Sequence, residues 1–149
     1  MKVIDIYTDG ACSYNPGPGG YGAILMYKGK MKKISGGDKN TTNNKMEILA
    51  VIKALECLKE PCKVNLYSDS AYVVNCFNDK WIDKWIANNW KKGKEQVKNV
   101  ELWKRLYELV CYHEVHFIKV KGHSDNEFNN ECDRLARAEV DKILGEINE

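Results

Sequence analysis

The chain predicts a mixed α/β fold, a five-stranded mixed sheet flanked by helices, and three observations carry that prediction. Apolar runs of strand length lie at residues 3–9, 21–27, 31–35, 63–68 and 115–120. Segments with helical spacing follow the third run and alternate with the later ones, which calls for helices packed on a sheet. Finally, 149 residues at 44% hydrophobic and 30% charged are the balance of one globular domain with a sizeable core.

In chain order, Lys2 to Asp9 alternates as a strand, and Gly10-Ala11-Cys12 breaks it, leaving Asp9 at the carboxyl end. Gly17 to Gly22 reads as a turn feeding the second strand. It is not a phosphate-cradling loop, because no Gly-Lys-Ser/Thr follows. Tyr21–Tyr27 and Met31–Ser35 form a hairpin through Lys28-Gly29-Lys30, and residues 36–41 are a loop. Asn44–Leu58 is a helix whose Asn44 and Glu47 have capping-box spacing. Lys63–Ser68 is a strand ending at Asp69, and residues 70–77 open a helix directly after it. A Trp-rich helical region at 80–92, a helix at 100–112, a strand at 115–120 and a helix at 129–144 follow. Residues 1–149 read as a single domain with its core at about 3–144, and 145–149 as a frayed tail.

Four acids sit at element ends: Asp9, Glu47, Asp69 and Asp133. Alone, each has an ordinary reading. Asp69 is a helix N-cap, Glu47 half of a capping box, Asp133 a complement to a helix dipole and Asp9 a strand-end residue. Yet Glu47 shares a stripe with Ala50, Val51, Ala54, Leu55 and Leu58, which turns it toward the sheet. If the strands ending at Asp9 and Asp69 are parallel neighbours, about 4.8 Å apart, their carboxylates share the crevice where open α/β sheets bind ligands. Carboxylates that close need a proton or a cation between them.

The strings Tyr7-Thr8-Asp9-Gly10-Ala11-Cys12, Asn15-Pro16-Gly17-Pro18-Gly19-Gly20-Tyr21-Gly22, Thr42-Asn43-Asn44-Lys45-Met46-Glu47, Tyr67-Ser68-Asp69-Ser70, Val120-Lys121-Gly122-His123 and Asn129-Asn130-Glu131-Cys132-Asp133 occur in order with compatible spacing. In them the chain resembles type 1 ribonuclease H of the bacterial kind, from about residue 3 to residue 140. The resemblance implies the ribonuclease H-like fold and hydrolysis of the RNA strand of RNA/DNA hybrids, leaving 5′-phosphate and 3′-hydroxyl ends. It implies two Mg²⁺ ions, replaceable by Mn²⁺, held by Asp9, Glu47, Asp69 and Asp133. Oxygen donors suit such hard cations and argue against zinc. It makes His123 the proton-handling histidine, a role its near-neutral titration suits. His113 and His116 read as solvent-exposed.

The resemblance also places Cys12, Asn15, Asn43 and Asn44 against the hybrid's minor groove. A short amide donates to and accepts from the ribose 2′-hydroxyl that separates RNA from DNA. Thr42 and Asn99 match positions that hold a DNA-strand phosphate. From Lys80 to Arg105, eight basic residues less Asp83, Glu95 and Glu101 leave +5 inside a chain of +2, which suggests a polyanion. Trp81 and Trp85 at i, i+4 read either as packing or as stacking on substrate. Lys84, Lys91, Lys92, Lys94 and Lys98 look like the cations of the family's basic protrusion. Asp79, Asp83 and Glu95 dilute that charge, and Ser124 to Phe128 is more acidic than the family pattern.

No apolar stretch reaches membrane-span length and Met1 to Asp5 starts no signal peptide, so the expectation is a cytoplasmic monomer with no membrane partner. Six cysteines without CxxC or zinc spacing read as reduced, mostly buried thiols. Two rivals share these features. Another nuclease or strand transferase of the same fold would keep the acids but read a different substrate, and a non-catalytic binder would have lost one of them.

Overall fold

The computed structural model describes residues 1–122 and 126–147. Three antiparallel strands come first: β1 (Val3–Cys12), β2 (Gly17–Tyr27) and β3 (Lys30–Thr41). Then follow α1 (Asn43–Glu56), β4 (Lys63–Ser68), α2 (Ala71–Asn78), α3 (Trp81–Ala87), the two-residue strands β5 (Lys91–Lys92) and β6 (Glu95–Gln96), α4 (Val100–Tyr112), β7 (Glu114–Lys119) and α5 (Glu127–Ile147). The five-stranded sheet has the order β3-β2-β1-β4-β7, antiparallel from β3 to β1 and parallel from β1 through β4 to β7. This is the mixed sheet the sequence predicts. β5 and β6 pair only with each other.

Alternation along β1 and β4 builds the main core. Ile4, Ile6, Val64 and Leu66 are buried on the face covered by α1, where Ile48, Val51, Ile52 and Leu55 meet them. Trp103, Leu106 and Leu109 of α4 close that layer. On the opposite face α5 lies across β1, β2 and β3, burying Cys132, Ala136, Val140 and Ile143 at helical spacing. It lies very close. A Cβ at Gly20 would be 2.4 Å from the Ala136 carbonyl oxygen, and one at Gly22 would be 2.6 Å from that of Cys132.

Several boundaries differ from the sequence reading. Gly10-Ala11-Cys12 does not end β1, because Gly10 to Cys12 pair with Tyr21 to Gly19 of β2. Likewise the Gly17–Gly22 segment and residues 36–41 are strand rather than turn and loop, their backbone groups satisfied by pairing with each other. Thr42, not Asn44, caps α1, accepting from Lys45 N at 3.2 Å, so Glu47 is the fifth helical residue and its side chain is spared from capping. Ser70, not Asp69, caps α2. The closing helix starts at Glu127, where Asn126 Oδ1 accepts from Phe128 N and Asn129 N, placing Asp133 in its second turn. It runs on to Ile147. The Trp-rich helix stops at Ala87, before the small β5–β6 hairpin.

His113, expected in solvent, is buried, with Nδ1 accepting from Cys62 N at 3.0 Å. All six cysteines are free. Cys62, Cys76 and Cys132 are buried, Cys12 and Cys57 half-buried and Cys111 exposed. No helix among the described residues is long and apolar enough to cross a membrane.

Candidate active site

The parallel pairing of β1 with β4 ends at Thr8 opposite Ser68, and the next residue on each strand is an acid. Asp9 and Asp69 therefore stand side by side where β1 and β4 part, Asp9 still paired with Gly22 of β2. Gly10 brings in the third acid. A Cβ there would lie 2.7 Å from Glu47 N and 2.8 Å from Met46 C, so only glycine lets the start of α1 come this close to β1. Ligand oxygens of Asp9, Glu47 and Asp69 lie within 4.8 Å of one another.

Charge and burial set the electrostatics. Burial, reinforced by the charges of Asp69 and Asp133, pushes the Asp9 carboxyl up to about 8. Glu47 rises well above the usual carboxylate range through burial first, then the charges of Asp9 and Asp69. The direct interaction of the two carboxyls raises Glu47 further and offsets part of the rise of Asp9, which also accepts from Gly10 N at 2.9 Å. The donor set fits a divalent cation. Among the described residues four buried side-chain atoms have no hydrogen-bond partner. Thr8 Oγ1 and His113 Nε2 lie outside the groove lining, but Glu47 Oε2 and Asn129 Oδ1 belong to residues that line it, where a hydrated cation would relieve them.

Asp133 lines the same groove as the other three acids and acts on Asp9, but it stands outside their tight cluster. Its carboxylate is held by Arg137 one turn on, with Arg137 Nε 3.1 Å from Oδ1 and 3.0 Å from Oδ2. Sequence reasoning missed Asn129 and Arg137, which also line the groove. Their signal was available: residues 129, 133 and 137 are spaced i, i+4, i+8 on one helix face.

The groove passes Cys12, Ser13, Asn43 and Asn44 on one side and Ser70 to Tyr72 on the other. Asn15 Oδ1 accepts from Asn43 N at 3.0 Å, stapling the β1–β2 loop to the start of α1. The Cys12 thiol turns inward, 2.8 Å from the Tyr14 carbonyl and 3.5 Å from that of Thr41. Thr42 spends its hydroxyl on the α1 cap. Asn99, in left-handed backbone at the start of α4, donates to the Tyr72 hydroxyl at 3.2 Å.

Lys84, Lys91, Lys92, Lys94 and Lys98 are exposed on α3, the small hairpin and the segment after it. Trp81 and Trp85 are half-buried against the core, with Trp85 5.6 Å from Trp103 between ring centroids, so they fasten α3 to the body. His123 lies outside the described residues. Its neighbour Gly122 sits against the acids, since a Cβ there would be 2.9 Å from Asp69 Oδ2.

Oxygen donors alone, gathered where two parallel strands part beside an open groove, are the site of a protein that works with a hard divalent cation. A family model described as RNase H matches residues 1–141. The ribonuclease H of Caldanaerobacter subterraneus subsp. tengcongensis is 58% identical over 146 residues, covering 97% of this chain and 95% of that one. That of Acetivibrio thermocellus is 59% identical over 143 residues, covering 95% and 97%. The chain belongs to the RNase H family and is accordingly an endonuclease that works with a divalent metal. Among solved structures, LC9-RNase H1 superposes with a TM-score of 0.86 at 24% identity, over 95% of this chain and 74% of that one. LC11-RNase H1 in complex with an RNA/DNA hybrid superposes with a TM-score of 0.75 at 24% identity, over 95% and 99%.

Proposed function

We propose that the chain cleaves the RNA strand of RNA/DNA hybrids with two Mg²⁺ ions held by Asp9, Glu47, Asp69 and Asp133, and that Mn²⁺ can replace them. The observation that carries this reading is the cluster of three carboxylates within 4.8 Å at the floor of a groove edged by exposed amides. When bound, the ions supply activation of water and neutralisation of charge on the departing 3′-oxygen. The products are then a 5′-phosphate and a 3′-hydroxyl.

This chain's residues divide the remaining work. Asn43 and Asn44, exposed at the first turn of α1, offer amides to ribose 2′-hydroxyls, with Asn15 and Cys12 shaping the loop beside them. Thr42 and Asn99 hold a DNA-strand phosphate. Lys84, Lys91, Lys92, Lys94 and Lys98 draw in the backbone of that strand, and Trp81 and Trp85 support their platform. His123 takes up or releases a proton during turnover.

The same reading makes residues 1–149 one catalytic domain, acting as a cytoplasmic monomer. Support comes from relatives named ribonuclease H that match along nearly their whole length. The test is a labelled RNA/DNA hybrid beside DNA duplex and RNA duplex, with and without Mg²⁺, followed by analysis of the product ends. Cleavage of the DNA duplex in preference to the hybrid, or a 3′-phosphate product, would overturn the proposal.

A further inference from the structure

Six non-glycine residues have positive φ among the described residues: Tyr14, Lys28, Lys80, Asn89, Trp90 and Asn99. Five have evident local reasons. Lys28 turns a hairpin, Lys80 and Asn99 begin helices, and Asn89 with a half-buried Trp90 leads α3 into β5. Tyr14 differs. Its φ is 65°, a left-handed conformation that disfavours a bulky side chain, and the residue is 81% exposed, so no burial offsets the backbone cost.

The loop holds Tyr14 firmly in that conformation. The Cys12 thiol donates to its carbonyl at 2.8 Å, Ser13 N donates to Pro18 O at 2.8 Å, and a Cβ on Gly17 would stand 3.1 Å from the Tyr14 Cβ. Strain held in place by its surroundings, on a residue with no packing role, points from the outlier to a function. The location supplies one. Ser13 lines the groove, and Asn15 holds the start of α1 where Asn43 and Asn44 stand.

We propose that Tyr14 is a substrate-binding residue whose ring packs on sugars of the hybrid where its minor groove crosses this loop, an inference that rests on the hybrid reading above. Bases inside a duplex are stacked on one another and offer no free face. The shallow minor groove of a hybrid instead presents sugars, on which a ring gains contact area at the entropy of only two side-chain torsions. Such a contact is uncharged. It adds affinity without adding to the salt dependence that phosphate contacts create.

The experiment compares Tyr14→Phe, Tyr14→Ala and Tyr14→Gly in an Asp69→Asn background that prevents cleavage. Hybrid binding is titrated at several salt concentrations, and melting temperature is measured on the same proteins. Ala and Gly are expected to weaken hybrid binding about fivefold at every salt concentration, while Phe stays within about twofold of the parent. The slope of log affinity against log salt stays unchanged. Because glycine tolerates the left-handed backbone and alanine does not, the Gly variant is expected to melt about 2–4 °C above the Ala variant.

Ala and Gly variants that bind as well as a binding parent overturn the Tyr14 contact and leave the hybrid reading standing. A parent that does not bind hybrid overturns both. A Gly variant that melts at or below the Ala variant overturns the strain on which the inference is built.

Discussion

Replacing Asp9 with Asn should abolish cleavage and, in the absence of metal, make the protein more stable. The carboxyl is raised from 3.8 to about 8 by burial and by the charges of Asp69 and Asp133. Such a group favours the folded state only while protonated. Its contribution is fully present below the unfolded value near 4 and is lost as pH rises through about 8. At about 1.36 kcal/mol per pH unit across that window, the shift costs the folded state a ceiling of about 4 kcal/mol at pH 7, where Asp9 is ionised in the unfolded chain and still largely protonated in the folded one. An asparagine keeps the shape, can still accept from Gly10 N, and carries no charge. With relaxation and water entry reducing the ceiling, we expect a gain of about 1–2 kcal/mol, or about 2–8 °C in melting temperature.

The assay is thermal unfolding by circular dichroism in EDTA at pH 4, 6 and 8, repeated with Mg²⁺. Variant and parent should coincide near pH 4 and diverge toward pH 8, and Mg²⁺ should raise the parent more than the variant. An Asn variant that melts at or below the parent in EDTA at pH 8, while matching it at pH 4, would refute the crowding of charge at this site.

Three other outcomes are expected. Gly122→Ala should push the Asp69 carboxylate aside and raise the Mg²⁺ concentration needed for half-maximal cleavage, with little change in melting temperature, because the colliding atom ends a flexible side chain; unchanged metal dependence would count against it. His113, whose pKa is lowered by burial, contributes stability that is full above about 6.5 and lost as pH falls through its folded value. Part of the acid-side loss of stability should therefore disappear in His113→Gln, and an identical acid limb in both proteins would contradict this. Replacing Lys91, Lys92 and Lys94 together with Ala should flatten the salt slope of hybrid binding by up to about 0.9 per lost contact while preserving the preference for a ribose strand. An unchanged slope would make the hairpin a solvated face only.

The sheet and helices were legible because their periodicities are strong, and Asp9 and Asp69 were legible because each closes an apolar run of strand length. What the sequence hid was pairing at a distance. Glycine-rich stretches read as turns, yet Gly17 to Gly22 and residues 36–41 satisfy each other across a ladder that no local signal announces. The true caps, Thr42 and Ser70, stand two positions before Asn44 and one position after Asp69, the residues read as caps, and that offset frees Glu47 and Asp69 for the site. His113 looked like a loop histidine because its partner, Cys62 N, is 51 residues away. Arg137 and Asn129 were concealed only because the helix face of Asp133 was not followed through to its neighbours.

The contact of α5 with Gly20 and Gly22 is one of peptide backbone on peptide backbone. Side chains elsewhere in a core can exchange volume with their neighbours, and the elements they carry drift by fractions of an ångström as they do. Backbone offers no rotamers for such trading. The helix that carries Asp133 is thus referenced to the sheet by a fixed stop one turn from the acid, and hydrophobic substitutions in the α1 and α4 layer can alter stability without moving the fourth carboxylate relative to Asp9. Larger residues at positions 20 or 22 would lift the helix and shift that acid directly, so these two glycines act as the spacing gauge of the active site.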